Sequence, residues 1–368
     1  MTGVPRVAVT LEQCWHAVPG GTATSALATT AALDRRDDVE LIGVSARHGG
    51  PPPAPFVPPI DLRSLRLPRL ALYESWHVLR RPAVQSATGS VDAIWVTGGA
   101  VPPRSAPMVV TIHDLAFLHR PEHFTAKGRR FFRQATDCAR RDADLVLCPS
   151  QVTADDCAEH GFATDRLRVV PWGVDQQRAD DGQVAAVAGR HGLDRPYVLS
   201  VGTAEPRKNL AAVFAAFALL GREDVDLVVV GPDGWGEDVV ALAGSVPRER
   251  VRLLGFVPSG DLPGLYAGAA AFCYPSLFEG FGLPVLEAMA QGTAVVTSAG
   301  TSMAEVGGDA VVLVEPTDHT ALAAAVGDLL DDPAEAARLG AAARARAETF
   351  TWDRTAEQVA TALHEVTS

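Results

Sequence analysis

Long apolar runs are missing from this chain of 368 residues. Although 47% of its residues are hydrophobic, none of its apolar stretches reaches the roughly 18 residues needed to span a bilayer, which excludes an integral membrane protein. Cysteine is scarce: five copies, at positions 14, 138, 148, 157 and 273, are odd in number and never spaced Cys-x-x-Cys. That pattern indicates neither a disulfide framework nor a zinc site, and reduced, buried thiols are expected. Histidines are scattered, and the acid–histidine pair at a strand end, His113-Asp114, has no third ligand nearby, so no metal is expected. The segment Met1–Thr10 lacks a basic stretch followed by an apolar one and a cleavage site. A cytoplasmic location is the expectation.

Positive charge is in deficit, and unevenly so. Residues 1–178 carry 20 Lys and Arg against 18 Asp and Glu, whereas the remainder carries 12 against 26, so the halves hold +2 and −14 of the net −12. So acidic a second half excludes a nucleic-acid polymer as partner, because phosphate backbones are bound by extended basic surfaces. Lysine is rarer still: only Lys127 and Lys208 occur, and Arg207-Lys208 is the sole pair of adjacent basic residues in the second half. A compact ammonium kept beside a guanidinium suits a diphosphate, the one as a point charge and the other as a fork.

What is present is an alternation of short apolar runs with longer helical patterns, the signature of parallel sheets with crossover helices. Strands are predicted over Arg6–Leu11, Glu40–Val44, Ala93–Val96, Met108–Ile112, Leu145–Cys148 and Leu167–Pro171 in the first half. The second half repeats the pattern over Tyr197–Val201, Leu227–Val230, Val251–Leu254, Ala271–Tyr274, Ala294–Thr297 and Val311–Val314. An α/β fold of two doubly wound, Rossmann-like parallel-sheet domains follows. Their expected extents are residues 1–178 and 179–350, with residues 351–368 forming a terminal helix. Gly49–Pro59, rich in proline, reads as a surface loop. Ligands of such sheets bind beyond the carboxyl ends of the strands, where His113, Ser150, Thr203 and Glu279 all fall.

The densest chemistry lies in Tyr274-Pro-Ser-Leu-Phe-Glu-Gly-Phe-Gly-Leu-Pro-Val-Leu-Glu287. Gly280 and Gly282 loosen a strand-to-helix turn, and Pro284 fits a first helical turn, so a helix is expected from about Leu283. Its positive end favours a diphosphate. Glu279 stands before the turn, placed to accept from sugar hydroxyls, and Glu287 is expected in the first turn, placed to accept from ribose hydroxyls. Two carboxylates flanking one anion would raise each other's pKa unless cations stand near, and Arg207 and Lys208 are the candidates.

Gly202-Thr-Ala-Glu-Pro-Arg-Lys-Asn209 and Phe278-Glu-Gly-Phe-Gly-Leu-Pro284 with Glu287 resemble the family-4 retaining glycosyltransferases of the GT-B fold. Thr111-Ile-His-Asp-Leu115, Cys148-Pro-Ser150 and Val170-Pro-Trp-Gly-Val-Asp175 extend the likeness over nearly the whole chain. The resemblance implies a metal-independent transfer of a hexose, best matched by mannose from GDP-mannose, to an acceptor hydroxyl of a glycan, glycolipid or small molecule, with two domains facing a central cleft. It assigns Arg207 and Lys208 to the pyrophosphate, Glu279 to the donor sugar and Glu287 to the ribose. The backbone of Gly280, Phe281, Gly282 and Leu283 falls under the sugar and phosphates. His113 falls beside the reacting centre, with support of developing charge as a further role. Gly202, Phe256 and Val257 complete the donor site, and Gly21 matches a glycine-rich turn approaching the phosphates from the other domain. There the family often has further glycines where this chain has Thr22–Thr24. The terminal helix is expected to return to the first domain.

Three other readings fit parts of the pattern. A nucleotide-sugar epimerase shares the architecture; a pyridoxal-phosphate phosphorylase would need a Schiff-base lysine, for which only Lys127 and Lys208 exist; and a sugar-binding module would bind donor without turnover. The basic clusters Arg63–Arg81 and Lys127–Arg141 are consistent with a weak peripheral contact to the inner face of a membrane, although Asp137 and Asp142 interrupt the second.

Overall fold

The computed structural model describes residues 3–16, 20–232, 234 and 238–368. The chain divides into two compact units, one of Met1–Gly173 with Trp352–Ser368 and the other Val174–Thr351.

In the first unit, seven strands form one sheet in the order β3-β2-β1-β4-β5-β6-β7. They are β1 (Arg6–Thr10), β2 (Glu40–Ser45), β3 (Leu62–Ser64), β4 (Ala93–Val96), β5 (Met108–Thr111), β6 (Leu145–Cys148) and β7 (Leu167–Val169). Every pairing is parallel, as in Val7↔Leu41 and Val7↔Ala93. A parallel sheet buries both faces, and the alternation of side chains separates two cores. Ala8, Ile94, Val96, Val110 and Val146 point into one. Val7, Val9, Trp95, Val109 and Leu147 point into the other, which is closed by Ala356, Val359, Ala360 and Leu363 of the terminal helix Trp352–Thr367. Thr355 fixes that helix by donating to the carbonyl of Pro171 at 2.7 Å. β3 escapes sequence inspection because it is a three-residue edge strand whose sole apolar residue is Leu62.

In the second unit, six strands run parallel in the order β10-β9-β8-β11-β12-β13. These are β8 (Tyr197–Val201), β9 (Asp226–Val230), β10 (Val251–Gly255), β11 (Ala271–Tyr274), β12 (Val295–Ser298) and β13 (Val312–Val314). Ala271 pairs with Val198 and Phe272 with Val295, so β11 is central and its residues are wholly buried. Successive strands step outward from β8 in one direction and from β11 in the other. The carboxyl ends of β8 and β11 are therefore the topological switch point, where a doubly wound sheet opens a crevice. Both motifs singled out in the sequence follow these two strands.

Local signals explain the connections. The helix Asp181–His191 begins on a capping box between Asp180 and Gln183 and ends at Gly192 with φ +62°. Among the described residues, no helix is long and apolar enough to cross a membrane.

Candidate functional site at the switch point of the second unit

β8 ends at Val201, and the chain turns through Pro206–Lys208 into the helix Leu210–Leu220. Asn209 takes a left-handed conformation, φ +58°, between them. Its amide donates to the carbonyls of Pro275 at 3.0 Å and Pro316 at 2.8 Å, which ties this loop to the one after β11. Leu277 N–H and Ser276 Oγ both donate to the Arg207 carbonyl, at 2.8 and 2.9 Å. The two motif loops are thus one stitched unit, which fixes where Arg207 and Lys208 point.

They point at Glu279. Lys208 Nζ lies 2.6 Å from Glu279 Oε1 and Arg207 Nη1 lies 2.8 Å from Oε2, while the other Arg207 nitrogen meets Glu205 at 2.6 Å. Tyr274 Oη donates to Oε1 at 2.8 Å, and Ser276 Oγ, also 2.8 Å away, divides its one proton between Oε1 and the Arg207 carbonyl. Glu279 is 8% exposed, and burial alone would raise its carboxyl. The charges of Arg207 and Lys208 more than offset that effect and hold it at about 2. Lys208 is pulled below its ordinary value by burial and by Arg207, against the opposing pull of Glu279 and Glu205. The cluster is an ionised network in which two cations face two carboxylates.

The network changes one expectation. Glu279 was placed to accept from sugar hydroxyls, yet its oxygens already receive four protein donors; a sugar must share or displace them. Glu205, Tyr274 and Ser276 take part in the network and were missed as site residues. Tyr274 closes a buried strand, where a phenol reads as core until its hydroxyl needs a partner.

Beyond Glu279 the chain makes a tight turn. Gly282 caps the helix Leu283–Gln291 at φ +97°, with no side chain capping the N-terminus. A Cβ on Gly282 would lie 2.6 Å from Met303 Cγ, so the turn admits only glycine. Phe281 is 2% exposed and packs edge-on to Phe350 at 6.1 Å between centroids, so only its backbone faces the loop. Ser302 Oγ donates to the Glu279 carbonyl at 2.7 Å, bracing the turn from behind. Leu283 begins the helix and is buried.

Glu287 does not lie in the first turn: it is the fifth residue of that helix, and no acidic residue occupies the first turn. The sequence places the helix start correctly, but counting from Leu283 puts residue 287 in the second turn. Tyr266 Oη donates to Glu287 Oε2 at 2.8 Å. Burial drives the carboxyl up to about 7, opposed by that hydrogen bond.

The remaining donor-side candidates spread along the same edge of the sheet. Gly202 follows β8, its N–H donating to the Val230 carbonyl at 2.8 Å. Phe256 and Val257 follow β10, two strands from β8; Phe256 is 73% exposed and Val257 is buried. Neither enters the ionic network.

The first unit holds the other two candidates. Gly21 is the second residue of the helix Gly20–Asp34, and Gly20 has φ +58°, so these glycines begin a helix instead of forming a free turn. His113 follows β5. Its Nε2 lies 2.7 Å from the Thr97 carbonyl, which can only accept, so Nε2 carries the proton. Nδ1 is buried without a hydrogen-bond partner, and the ring packs against Trp172 at 5.3 Å. Burial lowers the His113 pKa, opposed by the Thr97 hydrogen bond and Asp114. The imidazole is therefore neutral and offers a lone pair. It lines a small cavity with Ser25, Thr29, Trp95, Cys148 and Trp172.

With this geometry in place, comparison with known proteins is informative. Residues 19–178 match the family model of glycosyltransferase family 4, and residues 187–346 match that of glycosyl transferases group 1. The O-antigen chain mannosyltransferase B of Escherichia coli is 33% identical over 267 residues, 70% of each chain. An MMP alpha-(1->4)-mannosyltransferase of Mycolicibacterium hassiacum is 34% identical over 68% of this chain and 64% of its own. A D-inositol 3-phosphate glycosyltransferase of Salinispora tropica is 31% identical over 88% of this chain and 76% of its own. Among solved structures, Anabaena HepE in complex with UDP-glucose superposes with a TM-score of 0.77 at 21% identity, covering 98% of this chain and all of that one. WaaG, a glycosyltransferase involved in lipopolysaccharide biosynthesis, gives 0.74 at 20%, over 96% and 98%.

Proposed function

Because this chain belongs to glycosyltransferase family 4 and has the two Rossmann-like domains of the GT-B fold, we propose that it moves mannose from GDP-mannose to an acceptor hydroxyl with retention of configuration. The observation that carries this reading is the Arg207–Lys208–Glu279 network at the β8/β11 switch point, beside a helix N-terminus with no side-chain cap. It supplies what a departing diphosphate requires: two buried cations, an oriented helix dipole and a glycine turn that lets the backbone approach. The mannosyltransferase relatives support the sugar. HepE, solved with UDP-glucose, supports a nucleotide-sugar donor as the substrate class.

In the step itself, the acceptor oxygen bonds to the anomeric carbon as the bond from that carbon to the phosphate oxygen breaks. Both events take place on one face of the sugar. The acceptor's proton passes to the leaving phosphate oxygen, so charge balances without a protein nucleophile. Arg207, Lys208 and the helix N-terminus stabilise the negative charge that develops, each donor contributing roughly 3 kcal/mol in a site closed to water. Glu279 holds the two cations until phosphate oxygens take them over and then accepts from the sugar hydroxyls, and Glu287 accepts from the ribose. Neutral His113 accepts a sugar hydroxyl at Nδ1. No divalent ion is required on the diphosphate. The acceptor is a glycan, glycolipid or small molecule bound by the first domain. The relatives named above are transferases and give the epimerase alternative no support.

The test is incubation of purified protein with GDP-mannose, UDP-glucose and ADP-glucose, with and without magnesium, preceded by thermal shifts with each nucleotide. At 100-fold saturation a bound nucleotide should add about 2.7 kcal/mol. Selective stabilisation by GDP and an α-linked product support the reading. Stabilisation by none of the nucleotides refutes it.

A further inference from the structure

His119, Asp156 and His160 are far apart in sequence or on different elements, yet the first unit gathers them. His119 ends the helix Ala116–His119, Asp156 lies in the helix Gln151–Glu159, and His160 caps that helix. His119 Nε2 stands 2.7 Å and His160 Nδ1 3.0 Å from Asp156 Oδ1. One ligand atom from each of the three lies within 4.8 Å of the others. The imidazoles meet edge to face at 5.5 Å, and their side chains are 38% and 33% exposed, open to exchange with solution.

The carboxylate is the informative member. Asp156 is only 7% exposed, and its second oxygen, Oδ2, is buried with no hydrogen-bond partner. A buried carboxylate oxygen without a donor is a poor arrangement for hydrogen bonding alone, since His119 reaches only Oδ1 and His160 Nδ1 divides itself between Oδ1 and the Asp156 carbonyl at 2.9 Å. It is a good arrangement for a cation. Two imidazoles and one carboxylate form the donor set that zinc takes with three protein ligands, leaving a fourth position for water. Tetrahedral zinc, with ligands at about 2.0–2.2 Å, separates them by roughly 3.3–3.5 Å. The 2.7 and 3.0 Å contacts open to that spacing when the ion enters, which the partly exposed imidazoles permit. Each imidazole then moves its remaining proton to the other ring nitrogen, so neither need ionise.

We propose that His119, Asp156 and His160 form a zinc site that clamps the helix Ala116–His119 to the helix Gln151–Glu159. The clamped segment carries His113 at its start: Asp114 Oδ1 accepts from Ala116 N–H at 3.0 Å, opening the very turn that His119 closes. Zinc binding steadies the orientation of that segment and takes no part in sugar transfer. Hard cations such as magnesium and calcium prefer oxygen ligands and are poor occupants.

The experiment uses the full chain without a histidine tag, stripped with a chelator and titrated with zinc chloride by calorimetry. Melting temperature is followed in parallel with zinc, magnesium or calcium. One zinc per chain is expected, with a rise in melting temperature that magnesium and calcium do not reproduce. His119→Gln and Asp156→Asn should each weaken zinc binding by about 10-fold or more. His119→Gln, at a partly exposed position, keeps the test valid if Asp156→Asn impairs folding. Absence of stoichiometric zinc binding by folded protein, or an unchanged isotherm in His119→Gln, overturns the assignment. An anomalous-scattering peak at the three side chains of zinc-soaked crystals would locate the ion directly, and a peak elsewhere alone counts against it.

Discussion

Replacing Glu287 by glutamine should make the protein more stable at alkaline pH while weakening donor binding. Burial raises the Glu287 carboxyl from 4.5 to about 7. A carboxyl raised in this way keeps a proton in the folded chain that the unfolded chain has released. Its contribution to stability is therefore complete below pH 4.5 and is lost as the pH rises through 7. The gap of about 2.5 units corresponds to roughly 3 kcal/mol at 1.36 kcal/mol per unit. Glutamine carries no charge and can still accept from Tyr266 Oη, so the variant escapes this loss. Wild type and Glu287→Gln should melt alike near pH 4.5, and the variant should gain up to about 3 kcal/mol at pH 8. For a unit of this size that is roughly 6–12 °C, at 2–4 °C per kcal/mol. Calorimetric scans of ligand-free protein at the two pH values decide the matter. A variant with no larger advantage at pH 8 than at pH 4.5 would refute the buried, proton-binding environment assigned to Glu287.

Other perturbations probe neighbouring parts of the site. Donor affinity should fall as pH drops below about 7, because in the proposed role Glu287 must be an ionised acceptor for the ribose hydroxyls; titration calorimetry between pH 6 and 8 reads this directly, and a flat profile contradicts the ribose role. Lys208→Ala removes a countercharge from buried Glu279 and should cost about 3–5 kcal/mol of stability as well as donor affinity, measurable by denaturation and thermal shift. Gly231→Ala places a Cβ 1.9 Å from the Gly202 carbonyl oxygen at φ +149°, so the loop after β8 must move, with loss of donor binding before loss of secondary structure. His113→Ala should lower kcat by more than it raises the donor Kd, and unchanged kcat would remove His113 from the reaction.

Much of the fold was legible because parallel strands buried on both faces leave unbroken apolar runs. Ala93–Val96, Leu145–Cys148, Tyr197–Val201 and Ala271–Tyr274 coincide with β4, β6, β8 and β11 residue for residue. The helix beginning at Leu283 was legible from Gly282 and Pro284, whose backbone restrictions are local. What sequence could not show depends on contacts between segments. Arg207 and Lys208 were read as phosphate-binding cations standing near the two carboxylates, but which oxygens they meet is set by loops stitched by Asn209 and Ser276, which turn both onto Glu279. His119 and Asp156 lie 37 residues apart, a spacing that fits none of the familiar metal motifs, and only the packing of their two helices brings them together. The position of Glu287 failed for a simpler reason: the carboxylate sits one residue past the turn in which a dipole could favour it.

Glu279 and Glu287 are the same side chain on either side of one glycine turn, yet one is held at about 2 and the other at about 7. Cations surround the first; a phenol and a buried helix face surround the second. Before a donor arrives, Arg207 and Lys208 are balanced by Glu205 and Glu279, so the network offers a diphosphate almost no net positive charge. Attraction at long range is thus small, and affinity must come from exchange at short range. On the proposed reading, phosphate oxygens replace Glu279 as partners of the two cations, while the helix N-terminus supplies donors that cost no rearrangement. The carboxylate so released is freed where the sugar sits, and its oxygens then accept the sugar hydroxyls. Diphosphate binding and sugar positioning become one event, so a free nucleoside monophosphate should bind weakly and a free sugar hardly at all. Equal affinity for GMP and GDP would show that the network does not exchange in this way.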